Sequence, residues 1–158
     1  MRAVVLDRHA ASPPVPVPLA LCRVRAGFPL PADDGYTGAL DLSVYVGADP
    51  SSTFYVRAEG DSMVGDGIFD GDLLVVDRAV EPRHGDVVIA AVDGELTVKR
   101  FVRRGRRAAL LAAKAGFPPI VLREGQDLVV WGVVTHSVRQ HRRHRDAAWT
   151  NRDRRRAS

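Results

Sequence analysis

The sequence predicts a mainly β domain of short antiparallel strands, preceded by an extended proline-rich arm. From Thr53 onward, brief runs rich in valine, leucine, isoleucine and alanine alternate with Gly-Asp pairs, the texture of strands separated by turns. Before position 50, prolines recur too closely for a helical bundle to form. Between two of the β-rich runs lies Asp93-Gly94, which favours the type I′ turn of an antiparallel hairpin. A chain of 158 residues suits one domain, and 46% hydrophobic content can build its core, mostly from aliphatic side chains because only 6% are aromatic.

Residues 1–50 are expected to form the arm. Pro13, Pro14, Pro16 and Pro18 remove backbone donors and impose extended geometry, as does Phe28-Pro29-Leu30-Pro31. An apolar patch over 39–46 reads as one short helix or strand ending near Gly47 and Pro50. The β domain follows over 51–140, with strands predicted at 53–58, 72–76, 86–92, 95–102, 108–112 and 128–138. If the Asp93-Gly94 loop has two residues, Val92 faces Glu95, Ala90 faces Thr97 and Val88 faces Lys99. Lys99 then shares a sheet face with Val88, Ala90, Thr97 and Phe101, neighbours that disfavour an ammonium ion and lower its pKa. An arginine-rich tail occupies 141–158.

Charge is unevenly distributed. The chain carries a formal +4, yet from Ser137 onward eight arginines face only Asp146 and Asp153, which leaves the rest of the molecule slightly acidic. Such a tail can hold phosphates non-specifically by counterion release, although solvated, flexible termini commonly look the same. The lone Cys22 fits a reducing compartment and cannot form an internal disulfide. Apolar runs are too short to span a membrane, and the patch Ala3-Val4-Val5-Leu6 is broken by Asp7, Arg8 and His9 before it reaches signal-peptide length. These features predict a cytoplasmic protein. His9, His84, His136, His141 and His144 are scattered without carboxylates or cysteines at ligand spacing, so no metal and no cofactor is expected.

Lysine is rare here: twenty-one arginines accompany only Lys99 and Lys114. Arginine cannot deprotonate inside a protein, whereas a desolvated lysine can serve as a neutral base. Ser62 lies in Glu59-Gly60-Asp61-Ser62-Met63-Val64-Gly65-Asp66-Gly67, just after a predicted strand, where a sharp turn can expose its hydroxyl. A lysine can activate a serine nucleophile without histidine, and the backbone N–H groups of Asp61 and Ser62 are candidates for an oxyanion hole. Spacing alone favours an ordinary Gly-Asp-Ser turn and a strand lysine reaching for water, since a serine and a lysine in sequence are a common coincidence. Lys114, before Ala115-Gly116-Phe117-Pro118 in a predicted loop, is a weaker base candidate because it would stay hydrated.

Several segments carry a family resemblance in order from about Ala26 to Val138. Ala26-Gly27-Phe28-Pro29, Gly60-Asp61-Ser62-Met63, Asp70-Gly71-Asp72-Leu73-Leu74-Val75-Val76-Asp77, His84-Gly85-Asp86-Val87-Val88-Ile89-Ala90-Ala91-Val92-Asp93-Gly94-Glu95 and Thr97-Val98-Lys99 resemble the UmuD branch of the LexA-like S24 serine peptidases. The resemblance implies a LexA/UmuD-like catalytic β-domain, with Ser62 as nucleophile and Lys99 as general base of a self-cleaving site. The Ala26-Gly27 bond falls at the family's cleavage position, so cleavage would release residues 1–26. The branch also implies a homodimer, cleavage prompted by a RecA–single-stranded DNA filament, and a trimmed form that joins a UmuC-like Y-family DNA polymerase in the SOS response. LexA-like repressors place a helix-turn-helix before this domain, and the broken arm here is too short to supply one. Ala26 stands where UmuD-like proteins commonly have cysteine, and the arginine-rich tail extends beyond the family core. The repeated Ala-Gly-Phe-Pro at Ala115 is expected to be held away from the site. Two alternatives remain open on the residues alone: a non-cleaving module that binds polymerase or RecA, and a LexA-like transcriptional regulator lacking its own helix-turn-helix.

Overall fold

A computed structural model describes residues 1–8, 13, 15–20, 36–92, 94–105, 107–121 and 129–141. Cys22, the Ala26-Gly27 bond and the tail beyond residue 141 lie outside the described residues. Strands β1 (Arg2–Arg8), β2 (Val17–Ala20) and β3 (Tyr36–Leu40) precede a one-turn helix α1 (Leu42–Tyr45). Then come β4 (Thr53–Glu59), β5 (Leu73–Asp77), β6 (Val87–Val92), β7 (Glu95–Arg104), β8 (Arg107–Leu111), β9 (Ile120–Val121) and β10 (Val129–Val138). The fold is mainly β, as the sequence predicts.

All pairings are antiparallel. Eight strands form one sheet in the order β1-β4-β5-β10-β6-β7-β8-β9, and β2 with β3 form a separate two-stranded sheet. In addition Arg2 of β1 pairs with Thr97 of β7, so β1 bridges β4 and β7 and closes six strands into a ring at that point. The β6–β7 hairpin has the expected register: Val92 opposite Glu95, Ala90 opposite Thr97 and Val88 opposite Lys99. Strand β10 reaches two partners, β6 through residues 129–133 and β5 through residues 133–138, and its register shifts once along each. Gly132 lies in the first of these shifts, where a Cβ would come within 2.7 Å of Val76 Cγ1, so the crossing of β10 over β5 requires glycine.

Alternation buries both faces of the central strands. Val56, Ala58, Met63, Ile68, Leu74, Val76, Ile89 and Val98 form one cluster, whereas Val88, Ala90, Phe101, Leu110 and Val133 form another. Each fully buried large aliphatic among them contributes roughly 1.5–3 kcal/mol from removal of apolar surface from water.

The segment read as an arm divides. Arg2–Arg8 is an edge strand of the main sheet, and Met1 and Ala3 pack against the first cluster. The 39–46 patch supplies both an end of β3 and the helix α1, which is capped by Asp41 accepting from the N–H groups of Ser43 (2.8 Å) and Val44 (3.1 Å).

Candidate active site

Ser62 is placed by a turn that the sequence makes almost unavoidable. At the end of β4, Gly60 adopts φ 94°, a left-handed conformation that side chains rarely tolerate, and its N–H donates to Asp70 Oδ1 at 2.7 Å. Met63, fully buried in the first cluster, anchors the far side of the turn. Two backbone bonds then fasten it to the loop after β8: Ala113 N–H donates to the Ser62 carbonyl at 2.8 Å, and Gly65 N–H to the Ala113 carbonyl at 3.0 Å. A Cβ at position 65 would lie 2.1 Å from the Ala113 oxygen, so only glycine permits this approach. Beside it, the Asp61 carboxylate is paired with Lys114. The Asp61 and Ser62 amides belong to this same turn.

Lys99 arrives from β7, opposite Val88 and on the face of the second cluster. It is 6% exposed and Ser62 is 0% exposed. Lys99 Nζ lies 3.0 Å from Ser62 Oγ and 3.3 Å from the Val98 carbonyl. Burial holds the ammonium below its ordinary value, with a smaller opposing contribution from the hydrogen bond to the chain's amino terminus. A buried hydroxyl next to an amine whose ammonium form is disfavoured by burial can pass its proton to that amine once it is neutral, which is what a serine nucleophile requires. The Phe117 ring centroid is 6.0 Å from Lys99 Nζ.

A third group shares the hydroxyl. The Met1 amino group donates to Ser62 Oγ at 2.8 Å, while the Met1 carbonyl accepts from Val98 N–H at 3.1 Å and Thr97 Oγ1 at 2.8 Å. Burial first, then the nearby charge of Lys99 and the hydrogen bond with it, lower the pKa of this amine to about 6, against a small opposing effect of Asp61.

The structure thus brings together Ser62 and Lys99, which are 37 positions apart. Lys114 stays half-exposed and is occupied by Asp61. Among the described residues no group of three or more histidine, cysteine, aspartate or glutamate side chains could hold a metal ion, and no helix is long and apolar enough to cross a membrane. The expectation that Ala115-Gly116-Phe117-Pro118 stands away from the site is wrong. The Ala113 bonds to the Ser62 turn draw this loop in, and Phe117 faces Lys99. Sequence reasoning also missed Met1, Gly65 and Ala113. Gly65 left a trace as a glycine in the motif, but backbone contacts from Met1 and Ala113 have no side-chain signature.

Comparison with known proteins finds relatives that cover most of this chain. Protein ImpA of Salmonella typhimurium is 46% identical over 125 residues, covering 79% of this chain and 85% of the relative. Protein MucA of Escherichia coli is 37% identical over 142 residues, covering 89% and 97%. LexA repressor 1 of Xanthomonas axonopodis pv. citri is 40% identical over 121 residues, which is 76% of this chain and 59% of the repressor. The S24-like peptidase family matches residues 18–135, a span that takes in Ser62, Lys99 and every strand from β3 to β9, and the chain belongs to that family.

Proposed function

We propose that this protein is a UmuD-like, self-cleaving Ser-Lys peptidase of the SOS response, and that its trimmed homodimer is the regulatory subunit of an error-prone, UmuC-like Y-family polymerase. The observation that carries the peptidase reading is the 3.0 Å approach of Lys99 Nζ to Ser62 Oγ, with both side chains buried. Neutral Lys99 takes the Ser62 proton as Oγ attacks the Ala26 carbonyl carbon. The Asp61 and Ser62 amides stabilise the resulting oxyanion. Lys99 then returns the proton to the departing Gly27 nitrogen, and water hydrolyses the Ser62 ester. The products are residues 1–26 with a new carboxylate and residues 27–158 with a new amino terminus.

The polymerase role is supported by likeness to ImpA and MucA over most of both chains. In this reading the protein works in the cytoplasm, where a RecA–single-stranded DNA filament stimulates cleavage. The arginine-rich tail adds non-specific nucleic-acid contact. The domain division follows: 1–50 as the cleavable arm, 51–140 as the peptidase domain and 141–158 as the tail.

Intact mass spectrometry over a pH series, with and without RecA–DNA filament, tests the peptidase reading. Loss of residues 1–26, faster at alkaline pH and absent in Ser62→Ala, is expected. A folded chain that stays intact under every condition would overturn it in favour of a binding module.

A further inference from the structure

Strand β1 connects the two elements that supply Ser62 and Lys99. It runs along β4 from Arg2 opposite Glu59 to Arg8 opposite Phe54, and Arg2 also pairs with Thr97 of β7, two positions from Lys99. Met1 continues this path into the site, with its carbonyl held by β7 and its nitrogen 2.8 Å from Ser62 Oγ. Ala3 packs on the core opposite the fully buried Ala58.

A peptide strand that presents a carbonyl carbon to Ser62 must enter this same gap between β4 and β7. Once its bond breaks, the departing amine lies beside Ser62 Oγ, where the Met1 nitrogen sits. Next to the Lys99 Nζ contact, the Met1 nitrogen donates to Ser62 Oγ, so it engages a lone pair of the nucleophile and fills space that a reacting carbonyl must enter. We infer that residues 1–8 are a built-in, product-like competitor of the scissile strand, holding the groove until β1 peels away. The inference rests on the Ser62–Lys99 reading of the site.

Among the described side chains of β1, Val4 and Val5 stay exposed at 42% and 39% while Ala3 packs on the core, and the register shifts between Val5 and Asp7, so peeling chiefly breaks the backbone pairing of β1 with β4 and β7. The same strand is the point at which an activating partner would act most economically, because lifting one edge strand frees both the groove and the nucleophile.

The test uses the full chain carrying Ala3→Trp, whose indole has no room opposite Ala58, and follows labelling of Ser62 by a fluorophosphonate probe alongside self-cleavage. If β1 occupies the groove, labelling and cleavage rise at least about tenfold, the inverse of the fraction of molecules with an open groove. A synthetic octapeptide of residues 1–8 returns both toward the unsubstituted rates, and its N-acetylated form does so less well. Equal rates in the two chains, with circular dichroism showing both folded and the octapeptide without effect, would overturn the inference. Should neither chain cleave or label, the peptidase reading fails, and the groove is read directly by fluorescence anisotropy of the octapeptide, labelled at its C-terminus, on the Ala3→Trp chain. Saturable binding then supports occupancy by residues 1–8, and no binding refutes it.

Discussion

Lys99 sits where function and stability pull in opposite directions. Burial lowers its pKa from the ordinary 10.5, so the neutral base is populated at lower pH than in a free lysine. The cleavage rate is expected to climb about tenfold per pH unit below the folded pKa and to level off before 10.5, read by mass spectrometry at fixed ionic strength. Lys99→Arg should be as inactive as Lys99→Ala across that range, since a guanidinium does not deprotonate. A pH-independent rate would exclude a lysine base. The same shift has a stability consequence of defined sign. Because the folded state disfavours the ammonium, the penalty is complete below the folded pKa and fades as pH rises toward the unfolded value. Lys99→Met should therefore stabilise the fold by about 1 kcal/mol at neutral pH in urea titrations while abolishing cleavage.

The hydroxyl is positioned by an element, the turn from Gly60 to Gly67, more than by its own contacts. That turn is clamped between the β4 end and the loop after β8 through Ala113, and the clamp tolerates no Cβ at residue 65. Gly65→Ala forces backbone against backbone, so the turn must shift. The expected cost is about 1–3 kcal/mol in stability. Cleavage should fall roughly a hundredfold, because an angstrom of misplacement is enough to spoil attack. Gly67→Ala provides the comparison: its Cβ meets nothing within 4 Å, so its cost is confined to the positive φ of 75°. A Gly65→Ala chain with unchanged cleavage would show that the clamp does not govern the nucleophile.

At the scale of the whole sheet, a charge pair fastens the junction of the neighbouring strands β5 and β10. Asp72 precedes β5 and Arg139 follows β10; the two are joined by bonds of 2.8 Å and 2.7 Å, and Asp72 also accepts from Phe69 N–H at 2.9 Å. Arg139 in turn stacks on Phe69, with its guanidinium carbon 3.9 Å from the ring centroid. Hydrogen bonding to Arg139 is the leading cause of the lowered Asp72 pKa, and the Asp72 side chain is only 2% exposed. Its stabilising effect is complete above the unfolded carboxylate pKa and is lost as pH falls from about 4 through the folded value. Asp72→Ala should cost about 2–3 kcal/mol at pH 7 in urea titrations, and less at pH 3, below the unfolded carboxylate value of about 3.9. An equal cost at both pH values would show that packing, not charge, is what the substitution removes.

Local pattern was sufficient for much of this protein. The β-rich runs and their Gly-Asp punctuation located six strands to within two residues at most of their ends, because alternation and turn chemistry are short-range properties. Asp93-Gly94 set the register that puts Lys99 opposite Val88, and the rarity of lysine singled out that residue before any coordinate did. The apolar patch at Ala3-Val4-Val5-Leu6 was equally visible, but nothing near it in the chain showed that it would pair with β4 some fifty positions away. Two-residue β9 is too short, and too close to Pro118 and Pro119, to register as a period. Tertiary structure alone decided that Ser62 and Lys99 meet, that Met1 shares their hydrogen bonds and that Ala113 steadies the turn. Those contacts run largely through backbone atoms brought together by sheet closure, and a backbone amide carries the same chemistry whatever residue bears it.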